Sequence, residues 1–147
     1  MQPFFYPVSN QPILYISRHA HFNAAHKLYN PAFDEQWNND TFGLCANKNW
    51  HGHNFELIVT VKGTPNLDTG FVMDLKELSA IIKEEVTDRL DHKNLNIDVD
   101  FLKDKLPSIE NIVICIWDRI AAKLPKDVAM HKVHLRETNN NFVEYYG

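Results

Sequence analysis

From Leu14 to His26 the even positions read Leu, Ile, Arg, Ala, Phe, Ala and His, and the odd ones Tyr, Ser, His, His, Asn and Ala. This loose period of two predicts a strand. A cleaner alternation follows, with Phe55, Leu57, Val59 and Val61 set against Asn54, Glu56, Ile58, Thr60 and Lys62, closed by Gly63 and Pro65. Leu75, Leu78, Ile82 and Val86 fall at helical spacing behind Asp74 and Glu77, an acidic variant of the capping box, and predict an amphipathic helix over residues 74 to about 89. Ser108 opens a second helix with an apolar stripe of Ile109, Ile112, Val113, Ile116, Trp117, Ile120 and Leu124, stopped by Pro125. "HKVHLRET", "NNN" and "FVEYY" then read as a hairpin around an asparagine-rich turn. The order β-β-α-α-β-β predicts an α+β domain, a four-stranded antiparallel sheet with two helices on one face, because strand and helix do not alternate as a parallel sheet requires. Residues 29–43, "YNPAFDEQWNNDTFG", lack sustained periodicity and read as a long loop, a kind of segment that in small domains tends to be functional or disordered.

At 147 residues the chain fits one domain with one core, read here over residues 1–147 with 1–12 as a flexible lead-in. That lead-in, "MQPFFYPVSNQP", has neither a basic start nor a continuous apolar run and makes a poor secretory signal. Charged residues at 23% and hydrophobic ones at 44% place the chain among globular proteins, and no apolar stretch suits a membrane span. A net charge of -4 without a basic block argues against nucleic acid as partner. Two cysteines, Cys45 and Cys115, are too few for a disulfide framework, so the cytoplasm is the expected compartment.

The chemistry concentrates in "NKNWHGHNFELIVTV", residues 47–61. On an unbroken strand His51, His53, Phe55 and Leu57 share one face, and Gly52 between the histidines leaves room for a close neighbour. On the first strand His26 has the parity of Phe22 and Ala24, so it points inward if Phe22 does, while His19 and His21 point out. Three imidazoles from adjacent strands can converge on one zinc ion with an open fourth position. The competing reading is a set of ordinary half-exposed strand histidines. His19, His21, His131 and His134 are read as surface or packing residues.

Other chemistry-bearing residues flank these histidines in the sequence. Cys45, six residues before His51, is a fourth metal ligand, a thiolate base or nucleophile beside a cation, or an incidental loop cysteine. Cys115, among Ile112, Ile116 and Trp117, reads as helix packing. Asp91 beside His92 in "LDHKN" has the composition of a carboxylate-oriented acid–base pair, or of a polar loop that ends a helix. Glu137 shares parity with Val133 and Leu135, and an inward carboxylate there either binds the N–H edge of a heterocycle through two parallel hydrogen bonds or forms a salt bridge within the fold.

Taken together, "FNAAHKL", "CANKNWHGHNFELIVTVKG", "LDHKNLN", "PSIENIVICIWDRI" and "VHLRETNNNFVEYY" closely resemble the 6-pyruvoyltetrahydropterin synthase family, from about Tyr15 to the end. The resemblance implies the tunnelling fold, in which subunits join their sheets into a trimeric barrel and two trimers stack into a homohexamer. It implies a zinc-dependent lyase that converts 7,8-dihydroneopterin triphosphate to 6-pyruvoyl-5,6,7,8-tetrahydropterin and triphosphate, a step toward tetrahydrobiopterin, with Mg²⁺ as a candidate companion of the triphosphate. By the family motifs His26, His51 and His53 match the zinc ligands and Cys45 the catalytic base. Asp91 and His92 match that cysteine's partners, contributed across a subunit boundary. Glu137 matches the pterin anchor, and Ser108 and Glu110 match a segment that helps hold the ring. The chain departs from the usual pattern at Asn23 and Ala25, where small serines are common, and in the extra His19 and His21.

Two alternatives accompany this reading. One is a 6-carboxy-5,6,7,8-tetrahydropterin synthase of the queuosine pathway, whose cysteine characteristically lies in C-x3-H-G-H rather than the C-x5-H-G-H found here. The other is a non-catalytic pterin-binding module with a structural metal.

Overall fold

The computed structural model describes residues 11–147. The lead-in expected over residues 1–12 therefore falls, as far as Asn10, outside the described residues. The two alternating tracts form long strands, β1 (Leu14–His26) and β2 (His51–Gly63), paired antiparallel along their whole length from Leu14 opposite Gly63 to His26 opposite His51. Between them α1 (Glu35–Phe42) and a 3-10 turn (Gly43–Ala46) occupy the stretch expected as irregular loop. Asp34 caps α1 by accepting the Trp37 amide at 2.8 Å. A helix of eight residues this polar has little apolar periodicity, which is why spacing alone misses it.

The expected first helix is divided into α2 (Leu75–Ile82), a π-helical stretch (Lys83–Thr87) and a one-turn α3 (Asp88–Leu90). Asp74 caps it as expected, accepting from the Lys76 amide at 2.8 Å. Leu78, Ile82 and Val86 are buried, whereas Leu75, placed on the same stripe by spacing, is 43% exposed at the helix start. β3 (Lys93–Asn94) is a two-residue strand parallel to β1 at Ala24 and Ala25, in a stretch expected as loop. α4 (Ile109–Ala121) is capped by Ser108. β4 (Val128–Arg136) and β5 (Phe142–Tyr145) form the expected hairpin. The sheet is thus mixed and five-stranded, in the order β3-β1-β2-β4-β5, the four expected antiparallel strands plus one short parallel edge.

One core lies between the sheet and helices α2 and α4. Phe22 and Phe55 stack at 4.9 Å in its centre, with Leu57, Val59, Val133 and Leu135 from the sheet and Leu78, Ile82, Ile112, Ile116 and Ile120 from the helices. Burying each of the larger side chains is worth about 1.5–3 kcal/mol. The buried Glu85 carboxylate accepts from Arg119 and locks the π-helical stretch to α4.

The opposite face is polar. There Glu144 is surrounded by Lys132, His134 and Tyr146, which hold its carboxyl down at about 2, Lys132 acting most strongly. The folded value lies below the ordinary 4.5. The stabilisation is therefore fully present above about pH 4.5 and lost as pH falls toward 2. A Glu144→Gln protein should melt below the parent near neutral pH and match it near pH 2 in thermal scans. The cluster is solvent-exposed, so the difference should shrink in high salt.

Candidate metal centre and active site

The register of β1 on β2 sets His26 opposite His51 and Ala24 opposite His53. All three histidines lie on the face that buries Phe22 and Phe55, as parity requires. A Cβ on Gly52 would stand 3.1 Å from the Ala24 carbonyl, so glycine is what allows β1 to approach between the two histidines of β2. Ring centroids are 4.5 Å apart for His26 and His51, 5.1 Å for His26 and His53, and 4.9 Å for His51 and His53. One ring nitrogen from each lies within 4.8 Å of the others, and Phe55 forms an apolar floor under His26 and His53.

The donor chemistry fits a metal. His26 is 1% exposed, and its Nδ1–H donates to the Pro107 carbonyl at 2.8 Å, which leaves the Nε2 lone pair free and turned into the cluster. His26 Nε2, both ring nitrogens of His51 and His53 Nε2 are buried without a hydrogen-bond partner. Four orphaned imidazole atoms at one place have a steep cost unless something satisfies them. Burial pushes the pKa of His51 down, helped by the neighbouring imidazoles, and burial does the same for His53 against the pull of Glu137. Both effects favour the neutral imidazole that a zinc ligand must be.

Glu137 follows directly on β4, and its amide donates to the Asn141 carbonyl at 3.0 Å across the hairpin. Its Oε1 stands 3.3 Å from His26 Nε2 and 3.4 Å from His53 Nε2. His26 beside it, reinforced by the other imidazoles and opposed by burial, holds its carboxyl below the usual range. Cys45, Ser108, Glu110 and Glu137 line one hollow of about 430 Å³ together with His26. Cys45 is tied to the end of β1, its carbonyl accepting the Leu28 amide at 2.8 Å, two residues beyond His26. Burial, then the charge of Glu137, pushes the Cys45 thiol up. A cation held by the three histidines would act in the opposite sense.

Asp91 and His92 do form a unit. His92 Nδ1 lies 2.8 Å from Asp91 Oδ2, and Asp91 Oδ1 accepts the Asn23 amide at 2.8 Å. The pair exists because His92 takes a left-handed backbone, φ 57°, with its amide donating to the Asn23 carbonyl at 2.6 Å. The Asn23 amide, with help from His92, lowers the Asp91 carboxyl. His92 lines a separate hollow of about 650 Å³ shared with Asn23, Gly52, His53 and Lys93. Within one chain, then, the structure gathers His26, His51, His53, Cys45, Ser108, Glu110 and Glu137, and places Asp91–His92 outside the Cys45 hollow. His19 and His21 are exposed on the other face, while His131 packs on Tyr15 at 4.4 Å and His134 pairs with Glu144.

Spacing did not reveal Asn38, the Pro107 carbonyl, or Asn140 and Asn141, which also line the Cys45 hollow. Asn38 is fully buried in α1; its side-chain oxygen accepts the Asn30 amide at 2.7 Å, and its nitrogen lies within 3.2 Å of the Asn30, Phe33 and Asp34 carbonyls. It fastens the segment that delivers Cys45. Asn38→Ala removes the partner of the half-buried Asn30 amide and should cost about 1–3 kcal/mol in urea unfolding. An unchanged midpoint would show that the segment is held elsewhere. A buried asparagine inside an asparagine-rich stretch carries no sequence signal that separates it from its neighbours.

Residues 15–147 match the family described as 6-pyruvoyl tetrahydropterin synthase. The chain is 42% identical over 132 residues to a 6-pyruvoyl tetrahydrobiopterin synthase of Pongo abelii, a match covering 90% of each chain. It is also 42% identical over 132 residues to the protein of that name from Dictyostelium discoideum, covering 90% of this chain and 95% of the relative. The solved structure of Caenorhabditis elegans 6-pyruvoyl tetrahydropterin synthase superposes with a TM-score of 0.86 at 34% identity, over 93% of this chain and 97% of the other.

Proposed function

Because the chain belongs to the 6-pyruvoyl tetrahydropterin synthase family, with the family's fold and a histidine triad suited to a metal, we propose that it is a zinc-dependent lyase that converts 7,8-dihydroneopterin triphosphate to 6-pyruvoyl-5,6,7,8-tetrahydropterin and triphosphate. The observation that carries this reading is the set of orphaned imidazole nitrogens of His26, His51 and His53, beside the hollow that Cys45 shares with Glu137.

In this reading His26, His51 and His53 would hold Zn²⁺, which would supply Lewis-acid stabilisation for negative charge developing on the substrate's side-chain oxygens. The Cys45 thiolate removes a proton from a side-chain carbon that bears a hydroxyl. Glu137 takes the N–H edge of the pterin in two parallel hydrogen bonds and so fixes the ring relative to Cys45. Ser108 and Glu110, at the start of α4 and on the wall of the same hollow, flank the ring. Asp91 and His92, already paired, relay the proton for a Cys45 of a neighbouring subunit. Their place outside the Cys45 hollow of their own chain supports that arrangement. Mg²⁺ would accompany the triphosphate, a usual role for this hard cation.

A homohexamer built as a dimer of trimers belongs to the same proposal. β1 is paired on its outer side only at Ala24 and Ala25, and β5 is the opposite edge of the sheet, so both edges offer unpaired backbone that closure into a barrel would satisfy. Cytoplasmic action is supported by two free cysteines, Cys45 and Cys115. No helix among the described residues is long and apolar enough to cross a membrane.

The reading is tested by incubating the zinc-loaded protein with 7,8-dihydroneopterin triphosphate and identifying the pterin product by mass. A 6-pyruvoyl product is expected. A 6-carboxy product with acetaldehyde would move the chain to the carboxy branch, and tight pterin binding without turnover would make it a binding module.

A further inference from the structure

The Glu137 carboxylate stands where an anchor for the pterin ring has no need to be. Its Oε1 is 3.3 Å from His26 Nε2 and 3.4 Å from His53 Nε2, yet both nitrogens lack a partner in hydrogen-bond geometry. An ion pair with an imidazolium would place the oxygen along an N–H direction. Two donors held about 2.0–2.1 Å from one tetrahedral zinc are instead about 3.3–3.4 Å from each other, and each lies off the other's lone-pair axis. The distances from Oε1 to the two nitrogens have that value, and one ring nitrogen from each histidine of the triad lies within 4.8 Å of the others.

We propose that Glu137 is an exchangeable fourth ligand of the metal, bound with His26, His51 and His53 when the hollow holds no pterin and withdrawn to the ring's N–H edge when substrate enters. This rests on the metal reading of the triad given above and adds a second destination for a carboxylate that the family resemblance assigns to the ring. Both destinations are within reach of one side chain, since Glu137 touches the triad and also lines the hollow with Ser108, Glu110, Asn140 and Asn141. The arrangement has two chemical consequences. A carboxylate in the fourth position denies it to water, so the ion has no hydrolytic hydroxide before substrate arrives. It also makes the open position conditional on correct seating of the ring, because the group that recognises the pterin is the group that frees the metal.

Co²⁺ in place of zinc reports the ligand set through its visible bands, independently of turnover. The Co²⁺-loaded parent is expected to change its spectrum when an unreactive pterin without the hydroxylated side chain is added. The Glu137→Gln protein is expected to start with a different spectrum and to show no change with that pterin. It should also lose metal affinity about tenfold or more in chelator competition. A Glu137→Ala protein gives the same comparison without a side-chain amide that could replace the carboxylate. Superimposable spectra for parent and both variants, unmoved by pterin in the parent, would overturn the exchange while leaving the triad as the metal site. Failure of Co²⁺ to bind, or binding that survives His51→Ala unchanged, would instead remove the metal reading on which the exchange rests.

Discussion

His51→Ala protein is expected to fold normally, carry almost no zinc and turn over at least about a thousandfold more slowly than the parent, since the metal is asked for several kcal/mol of transition-state stabilisation. His51 is the cleanest of the three histidines to remove. Neither of its ring nitrogens has a hydrogen-bond partner among the described residues, so the substitution breaks no hydrogen bond seen to hold the fold. His26 differs, because its Nδ1–H bond to Pro107 joins the end of β1 to the entry of α4, and its ring is buried. His26→Ala should therefore lose stability as well as metal. The check is metal analysis of the purified proteins beside circular dichroism and thermal melting. One zinc per chain retained in His51→Ala would show that the triad is not the binding site.

Cys45→Ala is expected to separate chemistry from metal binding in the other direction. The thiol lines the hollow with His26 and Glu137, half-exposed on a 3-10 turn, and its side chain makes no hydrogen bond among the described residues. Its removal should leave zinc content and melting temperature close to the parent's while turnover falls by about 10²–10⁴, the usual contribution of a positioned base. If zinc is lost together with stability, Cys45 is a closed-site ligand and the centre is structural. If full activity survives with zinc in place, the proton acceptor lies elsewhere. The two variants form a pair, since one should lose metal and rate together and the other only rate.

The sequence carried the parts of this account that depend on side-chain period. Alternation in β1 and β2 is enough to place His26, His51 and His53 on the same face as Phe22 and Phe55, because a strand permits only two faces. The caps at Asp74 and Ser108 were legible for a similar reason, as local chemistry that acts within one turn. Less legible were features that depend on backbone detail or on distant partners. α1 is too short and polar to show a stripe, and β3 is two residues long. Adjacent residues ordinarily face apart, and only the left-handed backbone at His92 brings its ring onto Asp91. The split of the first helix into α2, a π-helical stretch and α3 leaves the apolar spacing intact, so no periodicity reveals it. The roles of Glu137, Ser108 and Glu110 toward a pterin came from resemblance, whereas the contact of Glu137 with the triad came only from the fold.

If the triad holds one catalytic zinc per chain, activity must follow zinc content one for one. This is tested most directly by stripping the protein with a chelator, returning zinc in small steps and following triphosphate release from 7,8-dihydroneopterin triphosphate at each step. Negligible release is expected from the stripped protein, followed by a linear rise that breaks at one zinc per chain. Full activity in the stripped protein, or a rise with no break at one equivalent, would contradict it.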